Sequence, residues 1–211
     1  MPHRILLIGA TGQLGRQILA QALEQRHMVT ALARRPEVLT VDHPLLTRAA
    51  ADVVTDPGGL TRLLPGHDVV ISALGRGLQL RSGNLLARAT PIIVDAMQRA
   101  GIGRLVFVSA FGVGNTAPDA PWLQRLMFRS MLRNIYADKA IAESVVMRSS
   151  LKWTIMAPTM LTNRAGVGRY RISSGTPPAG PWRLSRADAA SAVLACLDDP
   201  TAIGQRLTVG P

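Results

Sequence analysis

The chain has 211 residues, 47% hydrophobic and 18% charged, which excludes a disordered protein and leads us to expect one globular domain over residues 1–211. Cys196 is the sole cysteine and the four histidines are scattered, which excludes an intramolecular disulfide, gives no zinc-ligand spacing and leaves no metal to expect. Basic residues outnumber acidic ones 24 to 13, and 22 of the 24 are arginine, but the excess is spread over both halves, +4 in residues 1–100 and +7 in 101–211, with no basic tail. The formal charge of +11 invites a nucleic-acid or membrane-surface reading, yet no recognised binding motif accompanies it, so neither is the expected partner. No apolar run reaches the roughly 18 residues a bilayer span needs. Met1-Pro2-His3-Arg4 leads straight into a strand-like segment with no signal-peptide shape, so a cytoplasmic protein is expected.

In chain order, short apolar runs alternate with helical patterns. Strands are expected near 4–9 and 28–33, with a weaker one near 45–51. Others follow at 68–73 (DVVISA), 104–110 (RLVFVSA), 152–157 (KWTIMA) and, briefly, 206–209. Helices are expected over 12–26, 57–64, 82–100, 121–148 and 186–198, with Pro36, Pro57 and Pro121 where helices could begin and Gly101 and Gly103 just past one that ends. Residues 158–184 read as an irregular, substrate-side stretch within the same domain, and the Gly/Pro-rich piece from Ser173 to Pro181 as a surface connection. Strands apolar on both faces and separated by helices imply a parallel sheet covered on both sides, a doubly wound, Rossmann-like α/β fold.

The first strand runs into GATGQLG. Gly9, Gly12 and Gly15 stand three apart, and Thr11, Gln13 and Leu14 fill the loop before the helix. Glycines here let the backbone turn tightly, let a pyrophosphate approach the helix N-terminus and let that helix pack on the sheet. The strand before and amphipathic helix after supply the context that such a motif needs. The second strand ends in Ala33-Arg34-Arg35-Pro36, with no acidic residue to bind ribose hydroxyls and two arginines suited to a 2′-phosphate, so NADP(H) is expected over NAD(H).

These residues resemble the atypical short-chain dehydrogenase/reductases, in particular the NAD(P)H-binding group that includes biliverdin reductase B, a flavin reductase, and the NmrA-like proteins. The resemblance spans nearly the whole chain through GATGQLG, ALARRPE, DVVISALG, RLVFVSAFG, LKWTIMAPTMLTN, GVGRYRI and LSRADAASAVLACLDDP. It implies that Asp52 or Asp56 lies near the adenine, either of which could equally be a loop acid or a helix cap. It further implies that Ala73, Leu74 and Gly75 line the cofactor, that Ser109 sits beside the nicotinamide, and that Pro158, Thr159, Met160 and Leu161 close over the nicotinamide ribose.

Most short-chain reductases carry a tyrosine and a lysine separated by three residues, the phenol as proton donor and the ammonium lowering its pKa and holding the ribose. Tyr136-Ala137-Asp138-Lys139 has two residues between, which still sets the pair on one helical face. Tyr136 is therefore a candidate proton donor or a packing tyrosine, and Lys139 either reaches the ribose or pairs with Glu143 one turn on. Ser109 either bonds the carboxamide or substrate, or caps the turn that follows its strand. Residues 121–135 combine a broad apolar face with Arg125, Arg129 and Arg133 at every fourth position. This reads as a core-packed helix with a solvated stripe, or as a flap or dimer surface that attracts an anionic substrate. Cys196 reads as a small core residue.

Three functions follow. The first is an NADPH-dependent oxidoreductase that passes hydride to a flavin or similar planar small-molecule acceptor, where the protein's work is binding, orientation and exclusion of water. The second is a non-catalytic NADP(H)-binding redox sensor of the NmrA-like kind, and the third a surface-binding protein that uses the positive charge. Monomer and homodimer both remain open.

Overall fold

The computed structural model describes residues 1–75, 83–113, 133–175 and 182–211. Runs such as RILLI and VVIS, whose apolar residues face both ways, can only be covered by a layer on each side. They form the interior of an eight-stranded sheet, as β1 (Arg4–Ile8) and β4 (Val69–Ser72). With β2 (Met28–Ala33), β3 (Leu46–Ala50), β5 (Arg104–Val108), β6 (Lys152–Pro158), β8 (Arg171–Ser174) and β10 (Gln205–Gly210), the spatial order is β3-β2-β1-β4-β5-β6-β10-β8. All neighbouring pairs are parallel except β10 with β8. The seven parallel strands therefore end on one edge, and the order reverses between β1, which is flanked by β2, and β4.

Alternation along β1 divides the core. Ile5 and Leu7 face α1 (Gln13–Glu24) and α5 (Arg186–Ala195), packing with Ile18, Leu19, Val193 and Leu194. Leu6 and Ile8 face α2 (Pro57–Leu63), α3 (Leu85–Arg99) and α4 (Arg133–Arg148), packing with Leu60, Ile93, Met97, Ala142 and Val146. Each such fully buried Val, Leu, Ile or Met side chain contributes about 1.5–3 kcal/mol. Asp56 caps α2, accepting from the Gly59 N–H at 2.8 Å, with Pro57 in the first turn as expected. α3 has no side-chain cap of its own. The buried Asp138 of α4 serves instead, accepting from the N–H groups of Leu86 at 3.1 Å and Ala87 at 2.7 Å.

Three expectations need correction. The 158–184 stretch is not irregular. It contains β7 (Met160–Thr162) and β9 (Arg183–Ser185), paired in parallel as a second small sheet, and β8, which closes the edge of the main one. Ser173 and Ser174 are accordingly strand residues, while 176–181 lie outside the described residues. The last helix stops at Ala195, where the Arg104 guanidinium donates to the Cys196 carbonyl at 2.7 Å and ends it three residues early. The helix expected over 121–148 is described from Arg133 onward. Arg125 and Arg129 lie outside the described residues; the helix expected from 82 begins at Leu85, since Gly83 and the N-cap Asn84 both have positive φ.

Cys196 is buried and donates to the Val193 carbonyl, and burial pushes its thiol up to about 11, as fits a core residue and not a nucleophile. Among the described residues no helix is long and apolar enough to cross a membrane.

His27 links stability to pH. Its Nδ1 accepts from the backbone N–H of His3 at 2.9 Å, and the ring stacks on that of His3. Burial, aided by the neighbouring His3 and opposed by Asp198, lowers its pKa below 6.5. The unfolded chain then binds a proton that the folded chain refuses. The stability is present above about pH 6.5 and lost as pH falls. The melting temperature should drop between pH 7 and 5, and His27→Asn, whose side-chain carbonyl can still accept, should flatten that drop in a thermal-shift series.

Candidate functional site

In an open α/β sheet the crevice beyond the strand C-termini, at the point where strand order reverses, is the natural ligand site. Here that point is occupied by backbone. Gly9 leaves β1 with φ +88°, and a Cβ there would stand 2.7 Å from the Ala73 carbonyl oxygen at the end of β4. A Cβ on Gly15 would overlap the Gly9 carbonyl, so α1 approaches the strand end as closely as a chain without side chains allows. Gly12 is the N-cap of α1 and offers no side-chain cap, and no acidic residue sits in the first turn. Gly12 and Gln13 are exposed. The result is a helix N-terminus with its N–H dipole open to the cleft, an arrangement whose chemistry suits an anion such as a pyrophosphate.

On one side of this point, Arg34 and Arg35 follow β2 and are exposed. Arg34 Nε lies 4.0 Å from the Asp52 carboxylate. Asp52 accepts from the N–H groups of Val54 and Thr55, at 2.8 and 3.1 Å. Its burial works against ionisation, but those two bonds and Arg34 outweigh it and hold the carboxyl below its usual pKa. Of the two acids, Asp56 is thus the helix cap and Asp52 the turn acid beside Arg34. On the other side, Ala73, Leu74 and Gly75 continue β4 toward the cleft, Gly75 exposed and with open space among the described residues where a Cβ would stand.

Ser109 ends β5 and is 4% exposed. Its hydroxyl does not cap the next turn. It donates to Glu143 Oε1 of α4, and Glu143 is in turn held by Arg206 of β10, whose Nε donates to Oε2 at 3.0 Å. Arg206 also donates to the carbonyls of Ala110 at 3.2 Å and Val113 at 3.3 Å, so one guanidinium ties β10, α4 and the segment after β5. Of the two alternatives for Lys139, the ion pair with Glu143 is not formed among the described residues, where Arg206 holds that carboxylate. Lys139 has no ion pair there. Burial pushes its ammonium down to about 8, against the opposing pull of Glu143 and Asp138 and with a further push from Arg206. Tyr136 donates to the Phe111 carbonyl at 3.2 Å, and burial raises its phenol to about 12, the reverse of an activated acid.

α4 leads back to the start of β6, so its N-terminal end lies at the cleft edge. Along it Tyr136, Lys139 and Glu143 succeed one another inward on one helical face. Pro158 ends β6 and Thr159, 6% exposed, follows it, with Met160 and Leu161 in β7. The hydroxyls of Thr159 and of Ser72, at the ends of β6 and β4, are buried without a hydrogen-bond partner among the described residues. Beyond them stand Arg183 at the start of β9, Arg171 at the start of β8, and Arg164 and Arg169 in the segment between β7 and β8, all exposed and with no ion-pair partner among the described residues. The turn between β7 and β8 is anchored by Asp188, buried at the start of α5, which accepts from the N–H groups of Val167 and Gly168 at 3.1 and 2.9 Å. The Phe111 and Trp182 rings, 5.0 Å apart, join this region to the end of β5.

Sequence reasoning missed Glu143 and Arg206. The signal available was a charged residue on the core-facing stripe of α4, beside Ala142 and Val146. The cradle fits a dinucleotide: glycines that a Cβ would block, an uncapped helix N-terminus and orphaned hydroxyls at the strand ends. Among the described residues no cluster of His, Cys, Asp or Glu could hold a metal ion.

Comparison with known proteins bears on this cleft. A family model described as NAD(P)H-binding matches residues 9–200. The uncharacterized sugar epimerase YhfK of Bacillus subtilis is 26% identical over 93% of this chain and 88% of its own, and longer curated relatives are spanned over 61% and 24% of their lengths. Among solved structures, a short-chain dehydrogenase/reductase of Veillonella parvula in complex with NADP superposes with a TM-score of 0.81 at 23% identity, over 100% of this chain and 95% of that one. ChuY, an anaerobillin reductase of Escherichia coli O157:H7, superposes with a TM-score of 0.80 at 23% identity, over 98% and 96%. At these identities the two structures establish the fold.

The Glu143–Arg206 pair makes a sharp stability prediction. Glu143→Leu strands a buried guanidinium and should cost about 3–5 kcal/mol. Glu143→Leu combined with Arg206→Met removes both charges and should lose clearly less than that single variant in urea unfolding.

Proposed function

The chain belongs to this NAD(P)H-binding family and fits an atypical short-chain dehydrogenase/reductase, and on that premise we propose that it is an NADPH-dependent reductase of a planar, anionic small-molecule acceptor, with a flavin as the type. The observation that carries the reading is the glycine cradle at the reversal of strand order, with an uncapped helix N-terminus open beside it. The pyrophosphate would rest on Gly12, Gln13 and Leu14, the adenosine half toward Asp52, and the 2′-phosphate on Arg34 and Arg35. Ala73, Leu74 and Gly75 would line the middle of the dinucleotide, and Ser109, Lys139 and Thr159 the nicotinamide end. When bound, NADPH supplies a hydride.

The chain's own part is to bind, orient and exclude water. Lys139, an ammonium without an ion pair among the described residues, would hold the ribose hydroxyls. Tyr136 is spent on Phe111 and is a poor acid at a pKa of about 12, which favours an acceptor that needs no phenol to protonate it. The anionic preference rests on Arg164, Arg169, Arg171 and Arg183 around the substrate end. The same inactive phenol favours a second reading, a dinucleotide-binding regulator that performs no chemistry. Ycf39 of Synechocystis, named as a photosystem II assembly factor, matches half of this chain at 31% identity and is a relative with a non-enzymatic name.

Two measurements test the proposal. Replacing Arg34 and Arg35 by Ser should weaken NADPH binding by about 10- to 100-fold, the worth of charge-assisted bonds to a phosphate, and leave NADH binding unchanged. A wild-type protein that prefers NADH would contradict the cofactor assignment. In NADPH-oxidation assays, FMN should show a lower Michaelis constant than riboflavin, which lacks only the phosphate, and Arg164→Ser with Arg169→Ser should remove that difference. Tight NADPH binding with no oxidation across flavins and quinones would favour the regulator.

A further inference from the structure

A serine hydroxyl has one proton to give. In Ser109 that proton is taken by Oε1 of Glu143, a carboxylate that can only accept, and Arg206 holds the carboxylate in place, Nε donating to Oε2 at 3.0 Å and a terminal nitrogen to Oε1 at 3.3 Å. The guanidinium is itself tied to the Ala110 and Val113 carbonyls, so the arrangement is braced from the strand end, the helix and the last strand together. Glu143 is 3% exposed and Ser109 4%, which leaves neither group free to reorient into water. What Ser109 Oγ retains is lone pairs.

We infer that Glu143, oriented by Arg206, is a positioning residue that makes Ser109 an obligate hydrogen-bond acceptor, so that the end of β5 selects a donor: the amide NH2 of the nicotinamide carboxamide. This rests on the dinucleotide reading above. It assigns Ser109 recognition of the cofactor head group and withdraws it from proton donation to the acceptor. In Glu143→Gln, Arg206 can only donate, so the amide carbonyl keeps the shorter 3.0 Å bond to Nε, and the Gln NH2 takes the Oε1 position, gives up the 3.3 Å contact with Arg206 and donates to the Ser109 oxygen. The Ser109 proton is then released toward the cleft, and the site accepts a carbonyl there instead.

The test compares NADPH with its 3-acetylpyridine analogue, in which a methyl group replaces the carboxamide NH2 and the carbonyl remains. Affinities are read by calorimetric titration, with no turnover required. Wild-type protein should bind NADPH several-fold to about tenfold more tightly than the analogue, the worth of one hydrogen bond to a buried partner. Ser109→Ala and Glu143→Gln should each bring the two ligands to within about twofold. The Ser109→Ala variant removes no charge and keeps the test decisive if Glu143→Gln folds poorly. A wild type that does not discriminate, or a folded Glu143→Gln protein that discriminates fully, overturns the inference. In the latter case Glu143 is structural only, lowering the melting temperature without touching the ratio. Failure of the wild type to bind NADPH at all would instead overturn the dinucleotide reading.

Discussion

Three pieces of backbone meet where β1, β4 and α1 converge, and the rest of the molecule is arranged around that contact. The Gly9 carbonyl lies where a Gly15 side chain would be, and the Ala73 carbonyl where a Gly9 side chain would be. Nothing bulkier than hydrogen is tolerated, so the helix sits close on the sheet with its first N–H groups at the mouth of the crevice. The same closeness that completes the core between Ile18, Leu19 and β1 opens an anion site on the other side of the loop. Packing and ligand chemistry are one constraint here.

The other end of the cleft is built differently. There the chain spends buried charge: Glu143 with Arg206, and Asp138 on the N-terminus of α3. Buried ion pairs seldom add stability over apolar packing, and their attested use is to specify one arrangement among several. In this protein the arrangement specified is the proton of Ser109 and the seating of α4, which brings Tyr136 and Lys139 to the cleft. Burial moves those two in different directions, the phenol up and the ammonium down, and so separates a group that stays protonated from one that titrates near pH 8. The site is better suited to holding ligands in order than to delivering a proton from tyrosine.

The sheet was readable because its central strands are apolar on both faces, a pattern that no exposed element shares. β3 was faint because LTRAA is an edge strand that buries only Ala49, and β7 to β9 were invisible because they are only three or four residues long and lack a run of apolar residues. Their pairing depends on distant partners, such as the Thr159 N–H on the Val209 carbonyl and the Met160 N–H on Trp182. The glycine loop was readable for the opposite reason, since its residues act on neighbours close in sequence or through backbone alone. Glu143 and Arg206 stand 63 residues apart, so the sequence offers the glutamate only the lysine one turn away, as one of two alternatives for that lysine. Helical spacing identifies who could pair, and only the fold shows that a strand from the other end of the chain arrives first.

The central claim is that the parallel edge of the sheet is a dinucleotide cleft running from Arg34 to Ser109. A 1H–15N correlation spectrum recorded during NADPH titration tests it most directly. The account predicts saturable shifts concentrated at Thr11 to Gly15, Arg34, Arg35, Ala73 to Gly75 and Ser109. Shifts absent there, or gathered on the opposite edge of the sheet, would contradict it.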